Sequence, residues 1–458
     1  RTALIDRSFR TPLRAILFPE RGVVYPCVYL MQGVATMASD LQHEGLDFCK
    51  TVFETVRQMS AEGRGVTRQG YGPVECKVVE YLKSVGRDLN LEICDDAAGN
   101  VWMRLPGIDP SLPAFVSGSH ADSVPEGGNY DGLAGVTAAL AVAWWMRRTH
   151  FTPKRDYVVL VMRCEESSFF GKAYIGSLAF TGQLTTNETN LKHRTEDKTL
   201  GDFMSDCGID VAKITSGQPL VDLKKIAAFV ELHIEQGPTL DSSDTERVGI
   251  VTGIRGNVRH KAVRCIGQTA HSGAVDKQFR HDAVMATAEL IHTMDKHWDE
   301  WLARGEDLVF TIGVLKTAPT AAITVVPGET TFSVDMRSLK LDTVKRFEEL
   351  MRQEAERIGQ KRGVKFEFDK LLVTQPAGVD AALSDKLAAT AAKCGIPVKR
   401  LASGAGHDSA VIGNKGVPVA MIFVANQNGS HNPFETMKLE DFMVGAELLW
   451  RTVEHFDA

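Results

Sequence analysis

Four short apolar runs constrain this chain more than any other feature. They are Ala114-Phe115-Val116, Tyr157 to Met162, Ala227 to Leu232 and Val417 to Val424. None alternates with polar residues, as a strand buried on both faces should not. The first three run directly into polar clusters, GSHADS, CEESS and HIEQGP. Helix-period segments lie between the runs, Gly135 to Arg148 and Ser384 to Cys394, and a final one, Glu440 to His455, follows the last. Buried strands alternating with helices predict an α/β fold around a mostly parallel sheet. Ligands of such sheets bind at the carboxyl ends of the strands, where the polar clusters fall.

The flanking segments extend this plan. Asp47 to Glu62 and Gly72 to Leu89 carry apolar residues at three- and four-residue intervals and predict amphipathic helices. Leu91 to Leu105 predicts a hairpin turning at Ala98-Gly99-Asn100. Near residue 255 the texture changes to strand Arg259 to Cys265, helix His281 to Trp298, strands Val309 to Leu315 and Thr330 to Met336, helix Leu341 to Gly359 and strand Val364 to Phe368. This reads as a smaller α+β domain over residues 255–374, inserted into a catalytic domain made of residues 37–254 and 375–458. Residues 1–36 differ in texture and are expected to be a loosely attached extension. Their apolar stretch Val23 to Met31 is broken by Pro26 and lacks a small-residue cleavage pattern, so no signal peptide is expected.

Bulk properties narrow the function. With 458 residues the chain can bury a large core, and a net charge of −6 without long single-sign runs gives no reason to expect a nucleic-acid surface. No apolar run is long enough to span a membrane. The eight cysteines are scattered without a C-x-x-C pair, so buried free thiols and a cytoplasmic, reducing environment are expected.

The chemistry concentrates in the polar clusters. His120 lies in GSHADS, Asp131 eleven positions on, Glu165 and Glu166 side by side, His233 in ELHIEQGP and His431 in GSHNP. Imidazole and carboxylate donors suit zinc, manganese, cobalt or nickel. Two cations sharing a water need a bridging carboxylate, and this inventory supplies one bridging Asp, two further ligands for each metal and one Glu left over as a base. A single His at a strand end is more often a hydrogen-bonded structural residue, and an adjacent Glu pair is usually a solvated edge. Spacing alone leaves both readings open.

The segments GSHADSVPEGGNYDG, RCEESSFFGKAYIGS, ELHIEQGP, ITVVPGE…VDMRS, SGAGHDS and GSHNPFE resemble the hydantoinase/carbamoylase branch of the M20 metallopeptidase-like superfamily. That branch holds N-carbamoyl-L-amino-acid hydrolases, β-ureidopropionases, and allantoate and ureidoglycolate amidohydrolases. The resemblance runs from about residue 47 to the C-terminus. It implies that His120, Asp131 and His233 hold one metal, that Asp131, Glu166 and His431 hold the other, and that Glu165 is the general base. Asp122 would orient His120 from behind. His233 stands where dipeptidases and aminoacylases of the superfamily usually place a carboxylate.

The same resemblance makes the inserted domain a lid that pairs with its copy in a homodimer and lends residues across the interface. His271 would stabilise the oxyanion, Arg337 would clamp a substrate carboxylate and Gln236 would touch the ureido group. The chain departs from the family pattern at Thr324, where the N-V-V-P-G motif has Asn, so substrate contacts there stay open. The expected activity is hydrolysis of a small carbamoyl or ureido compound, foremost an N-carbamoyl-L-amino acid. Allantoate or ureidoglycolate hydrolysis, a dipeptidase or aminoacylase of the superfamily, and a catalytically silent binding protein are the alternatives.

Overall fold

A computed structural model of the chain describes residues 39–457, and the expected extension over residues 1–36 lies outside them. The larger sheet has eight strands in the order Val398–Ser403, Val248–Ile254, Val419–Val424, Ile226–Ile234, Ala114–His120, Tyr157–Met162, Val101–Leu105 and Glu92–Asp95. Ala114–His120 runs parallel to both Tyr157–Met162 and Ile226–Ile234, Ile226–Ile234 runs parallel to Val419–Val424, and Val398–Ser403 runs parallel to Val248–Ile254. The expected hairpin supplies antiparallel edge strands, Glu92–Asp95 on Val101–Leu105.

The absence of alternation in the apolar runs has a visible cause. Val159 and Val161 face one core, with Val136, Leu140 and Trp145 of the helix Leu133–Arg148. Their neighbours Val158 and Leu160 face a second core with Phe180 and Ile412. Helices therefore cover both faces, and every residue of Tyr157–Met162 is buried. The helix Leu133–Arg148 is apolar almost all round for the same reason, since it is enclosed rather than half-solvated.

Two strands of the larger sheet were not foreseen. Val398–Ser403 is an edge strand with the sequence VKRLAS, mostly accessible, so it carries no apolar run. Val248–Ile254 is interrupted by Gly249 and Gly253, which mask its periodicity. Four short helices between Ile175 and Ile214 were also not expected.

The segment after Gly256 builds a second sheet of six antiparallel strands around Gly256–Ile266 and Glu329–Ser338. Its burial alternates strictly along Glu329–Ser338, so this sheet packs on one face only. The helices Ala283–Ala303 and Leu341–Arg362 cover that face, and Leu290, Met294, Phe332, Val334, Met336, Phe347 and Met351 form its core. The expected strand Val309 to Leu315 divides into Val309–Thr311 and Leu315–Thr317 on either side of Gly313. Among the described residues, no helix is long and apolar enough to cross a membrane.

Candidate metal centre

The candidate donors converge because the parallel strands end together. His120 is the last residue of Ala114–His120, in register with Met162, which precedes the Glu165-Glu166 turn. His233 lies next to last in Ile226–Ile234, in register with Phe423 of the strand whose following loop carries His431. Asp131 sits one residue before Gly132, which starts the helix Leu133–Arg148.

The geometry around Asp131 divides by oxygen. Its Oδ1 lies 3.4 Å from His120 Nε2 and 3.2 Å from His233 Nε2. Its Oδ2 lies 3.4 Å from His431 Nε2, which is itself 3.1 Å from Glu166 Oε1. The trio His120, Asp131, His233 and the trio Asp131, Glu166, His431 each bring their donor atoms within 4.8 Å of one another, a spacing that could hold a metal ion. The first trio is fully buried, whereas His431 is 51% exposed and stands at the mouth. Glu165 Oε2 is 4.0 Å from His120 Nε2.

The chain spends its surrounding polar groups on aiming these donors. His233 Nδ1 lies 2.9 Å from the Ile234 carbonyl, leaving Nε2 for the site. His120 Nδ1 lies 3.1 Å from the Asp122 carbonyl and 3.5 Å from that residue's carboxylate. The Asp122 carboxylate does more than orient His120, because its two oxygens accept the backbone N–H of Glu165 and of Glu166, both at 2.9 Å. One side chain thus ties a first-strand ligand to the turn that carries the base and a second ligand. Arg68, fully buried, grips the intervening loop by donating to the Ala121 carbonyl and to Asn129 Oδ1.

Electrostatics favour a cationic occupant. Burial alone would raise the Asp131 carboxyl, but the surrounding His233, His120 and His431 hold it well below the usual carboxylate range. Burial drives the Glu165 carboxyl well above its ordinary value, against the pull of His120 and with Glu166, Asp408 and Asp122 adding to it. His431 is pushed up to about 11 by its hydrogen bonds to Asp131 and Glu166. Asp122, Asp131, Glu165, Glu166 and Asp408 are all buried here. Uncompensated buried charge of one sign is costly, and divalent cations on these oxygens would relieve it. The donor set therefore fits such ions.

Three participants escaped sequence reasoning. Glu435 accepts the N–H of Tyr130 and Asp131, and with Asp131 Oδ2 it shares the Ser430 hydroxyl. Glu231 is wholly buried and accepts from Ser119 and Ser409 beneath His120 and His233. The His407 ring packs at 4.6 Å on that of His233. Glu435 and His407 lie within GSHNPFE and SGAGHDS, so the signal was present, but nothing local marks them as supports.

The outer residues separate. Gln236 donates to Asp131 Oδ2 at 2.7 Å, and its Oε1 is buried without a partner. Arg337 reaches from the second sheet, donating to Asp335 through Nε and Nη2 and to the Gly404 carbonyl through Nη1. Gln236, Arg337, Gly404 and His431 line one cavity of about 840 Å³. His271 and Thr324 do not line it. Both are exposed on the ribbon that pairs Ala270–His271 with Val325–Val326, and His271 Nδ1 accepts from Gly273 and Ala274 N–H. Cys164 is a buried free thiol in a packing cluster, and its φ of 54° places it in a left-handed turn.

The chain is similar to known proteins over most of its length. The family described as Peptidase family M20/M25/M40 matches residues 116–455. The chain is 32% identical to an allantoate amidohydrolase of Bacillus subtilis, over 85% of this chain and 92% of that one. It is 31% identical to an N-carbamoyl-L-amino-acid amidohydrolase of Paenarthrobacter aurescens, over 87% and 95%. A solved amidase of the hydantoinase/carbamoylase family from Burkholderia multivorans superposes with a TM-score of 0.82 at 26% identity, over 89% and 97%.

Proposed function

The chain belongs to peptidase family M20/M25/M40, and on that premise we propose that it hydrolyses an N-carbamoyl-L-amino acid to amino acid, carbon dioxide and ammonia, using two divalent cations. The coarser activity follows its relatives, which are amidohydrolases by name, acting on C–N bonds other than peptide bonds. The observation that carries the two-cation reading is the division of Asp131, with Oδ1 turned to His120 and His233 and Oδ2 to His431. His233 in place of a carboxylate argues against a dipeptidase or aminoacylase.

Bound between these residues, the cations would polarise the substrate carbonyl and acidify a shared water. Glu165 accepts that water's proton on its carboxylate as the oxygen attacks, and returns it to the leaving nitrogen as the C–N bond breaks. Gln236, which lines the cavity beside His431, meets the ureido group. Arg337 offers its guanidinium to the substrate carboxylate across the same cavity.

Negative charge on the former carbonyl oxygen is met by His271 of a second chain, with the second sheet and its helices acting as lid and dimerisation domain. Exposed apolar Met285, Val314 and Leu315 on that domain support pairing, and so does the exposure of His271 away from the cavity of its own chain.

The test is remetallation followed by a substrate panel. Fully active protein should carry two equivalents of metal and turn over N-carbamoyl-L-amino acids faster than allantoate, ureidoglycolate or dipeptides. Full activity with one equivalent would remove the two-cation reading. Preference for allantoate or ureidoglycolate would move the substrate within the branch, and preference for dipeptides would move it outside.

A further inference from the structure

Behind the catalytic turn lies a feature that hydrolysis does not use. Cys76 and Cys207, 131 positions apart in sequence, bring their sulfurs to 3.3 Å. Cys76 stands in the first turn of the helix Pro73–Asp88 and Cys207 caps the C-terminus of the helix Leu200–Asp206. Both are partly exposed, whereas Cys49, Cys164 and Cys265 are buried. They share the wall of a cavity of about 660 Å³ with Arg163, Lys83, Lys198 and Phe203.

Arg163 organises the pair. Its Nη2 lies 3.1 Å from Cys76 Sγ and 3.9 Å from Cys207 Sγ. The guanidinium is buried, stacked over Tyr71 at 4.5 Å and paired with buried Glu75. Its position is therefore set independently of the sulfurs. Cys207 also points its Sγ at the Tyr71 carbonyl, 3.4 Å away.

From this arrangement we infer that Cys76 and Cys207 form a redox-active dithiol, in which Cys76 attacks a hydroperoxide and Cys207 resolves the product to a disulfide. The two sulfurs differ as these roles require. The hydrogen bond from Cys207, with Arg163 assisting, draws the Cys76 thiol down to about 5 despite partial burial, while Cys207 is pushed up and keeps its proton. A thiolate beside a cation and a helix N-terminus is the reactive form of cysteine.

The steps balance. The Cys76 thiolate forms an S–O bond to one peroxide oxygen as the O–O bond breaks. The other peroxide oxygen departs as hydroxide and takes a proton to leave as water, or, from an alkyl hydroperoxide, departs as alkoxide and leaves as the alcohol. Cys207 sulfur then attacks the sulfenic sulfur. The S–S bond forms, the S–O bond breaks, and the hydroxyl leaves as water with the proton of Cys207. Two electrons pass from the two thiols to the peroxide.

The experiment uses the full, metal-loaded, reduced chain with hydrogen peroxide as probe. After a timed exposure the free thiols are alkylated and the peptides mapped by mass. Exposed Cys94 is the internal reference. A Cys76–Cys207 cross-linked peptide, lighter by two hydrogens, should appear faster than Cys94 is lost, by on the order of tenfold or more. Cys207→Ser should stop the reaction at a sulfenic acid on Cys76 that a dimedone probe captures. Cys76→Ser should leave Cys207 alkylatable throughout. The inference fails if Cys94 is oxidised first while both thiols remain free, or if Cys76 is consumed without the cross-link forming.

Discussion

Replacing Glu165 by glutamine separates proton transfer from metal holding. The amide is nearly isosteric but cannot take up the water's proton, and the Asp131, Glu166 and histidine donors are untouched. The expected result is a metal content unchanged by elemental analysis and a turnover lower by about 10²–10⁴-fold. Metal loss instead would mean that the roles of Glu165 and Glu166 are exchanged. Arg337 permits an equally direct test. Its fork is already engaged by Asp335 and the Gly404 carbonyl, so its position is set before a substrate arrives. Arg337→Lys keeps the charge but cannot reproduce two parallel N–H donors. KM for carboxylated substrates should rise by about tenfold with kcat little altered, and analogues without the carboxylate should be unaffected. Equal loss for both would make Arg337 structural.

Among the secondary-structure elements, the start of the helix Leu133–Arg148 is tightly constrained where it meets the site. Gly132 has φ of 68°, and a Cβ there would lie 2.4 Å from the His120 ring. Only glycine allows the chain to turn from Asp131 into the helix while passing this close to a ligand. Gly132→Ala should cost about 1–3 kcal/mol in backbone strain and also displace His120. Both a lower Tm and metal content below that of the wild type are expected. Gly208→Ala supplies the control, because Gly208 has φ of 79° with open space around its would-be Cβ. It should lower Tm alone. If Gly132→Ala retains its metal, the loop has more freedom than this packing implies.

On the scale of the whole molecule, the proposed sharing of the site between two chains is open to a direct test, because His271 does not line the cavity beside His431 in its own chain. Glu165→Gln and His271→Ala proteins, each inactive, are mixed under conditions of subunit exchange. A heterodimer regains one site with both wild-type residues, and activity should return to about half of the wild-type level per heterodimer. Confirmed exchange without recovered activity would overturn the shared site and mean that His271 acts within its own chain or not at all. Lid closure by the second domain would also exclude water from the cavity.

How far each of these levels could be read from the residues follows from the range of the forces involved. Unbroken apolar runs report burial on both faces locally, so the central strands and their helices were legible, as were the polar clusters at their ends. Val398–Ser403 and Val248–Ile254 were not, because edge exposure and glycines remove the hydrophobic signal. The donor types at the metal centre were legible as chemistry. That they meet was legible only through the family resemblance and not from spacing, since residues as far apart as His120 and His431 are brought together by the parallel register of the strands that precede their loops. The supporting groups were decided by tertiary structure alone. Asp122 bonding the Glu165-Glu166 turn, Glu435 anchoring Asp131 and Glu231 beneath the histidines satisfy buried polar groups that exist only once the sheet is assembled. The Cys76–Cys207 contact is of the same kind, because packing between two helices sets it and no spacing in the sequence announces it.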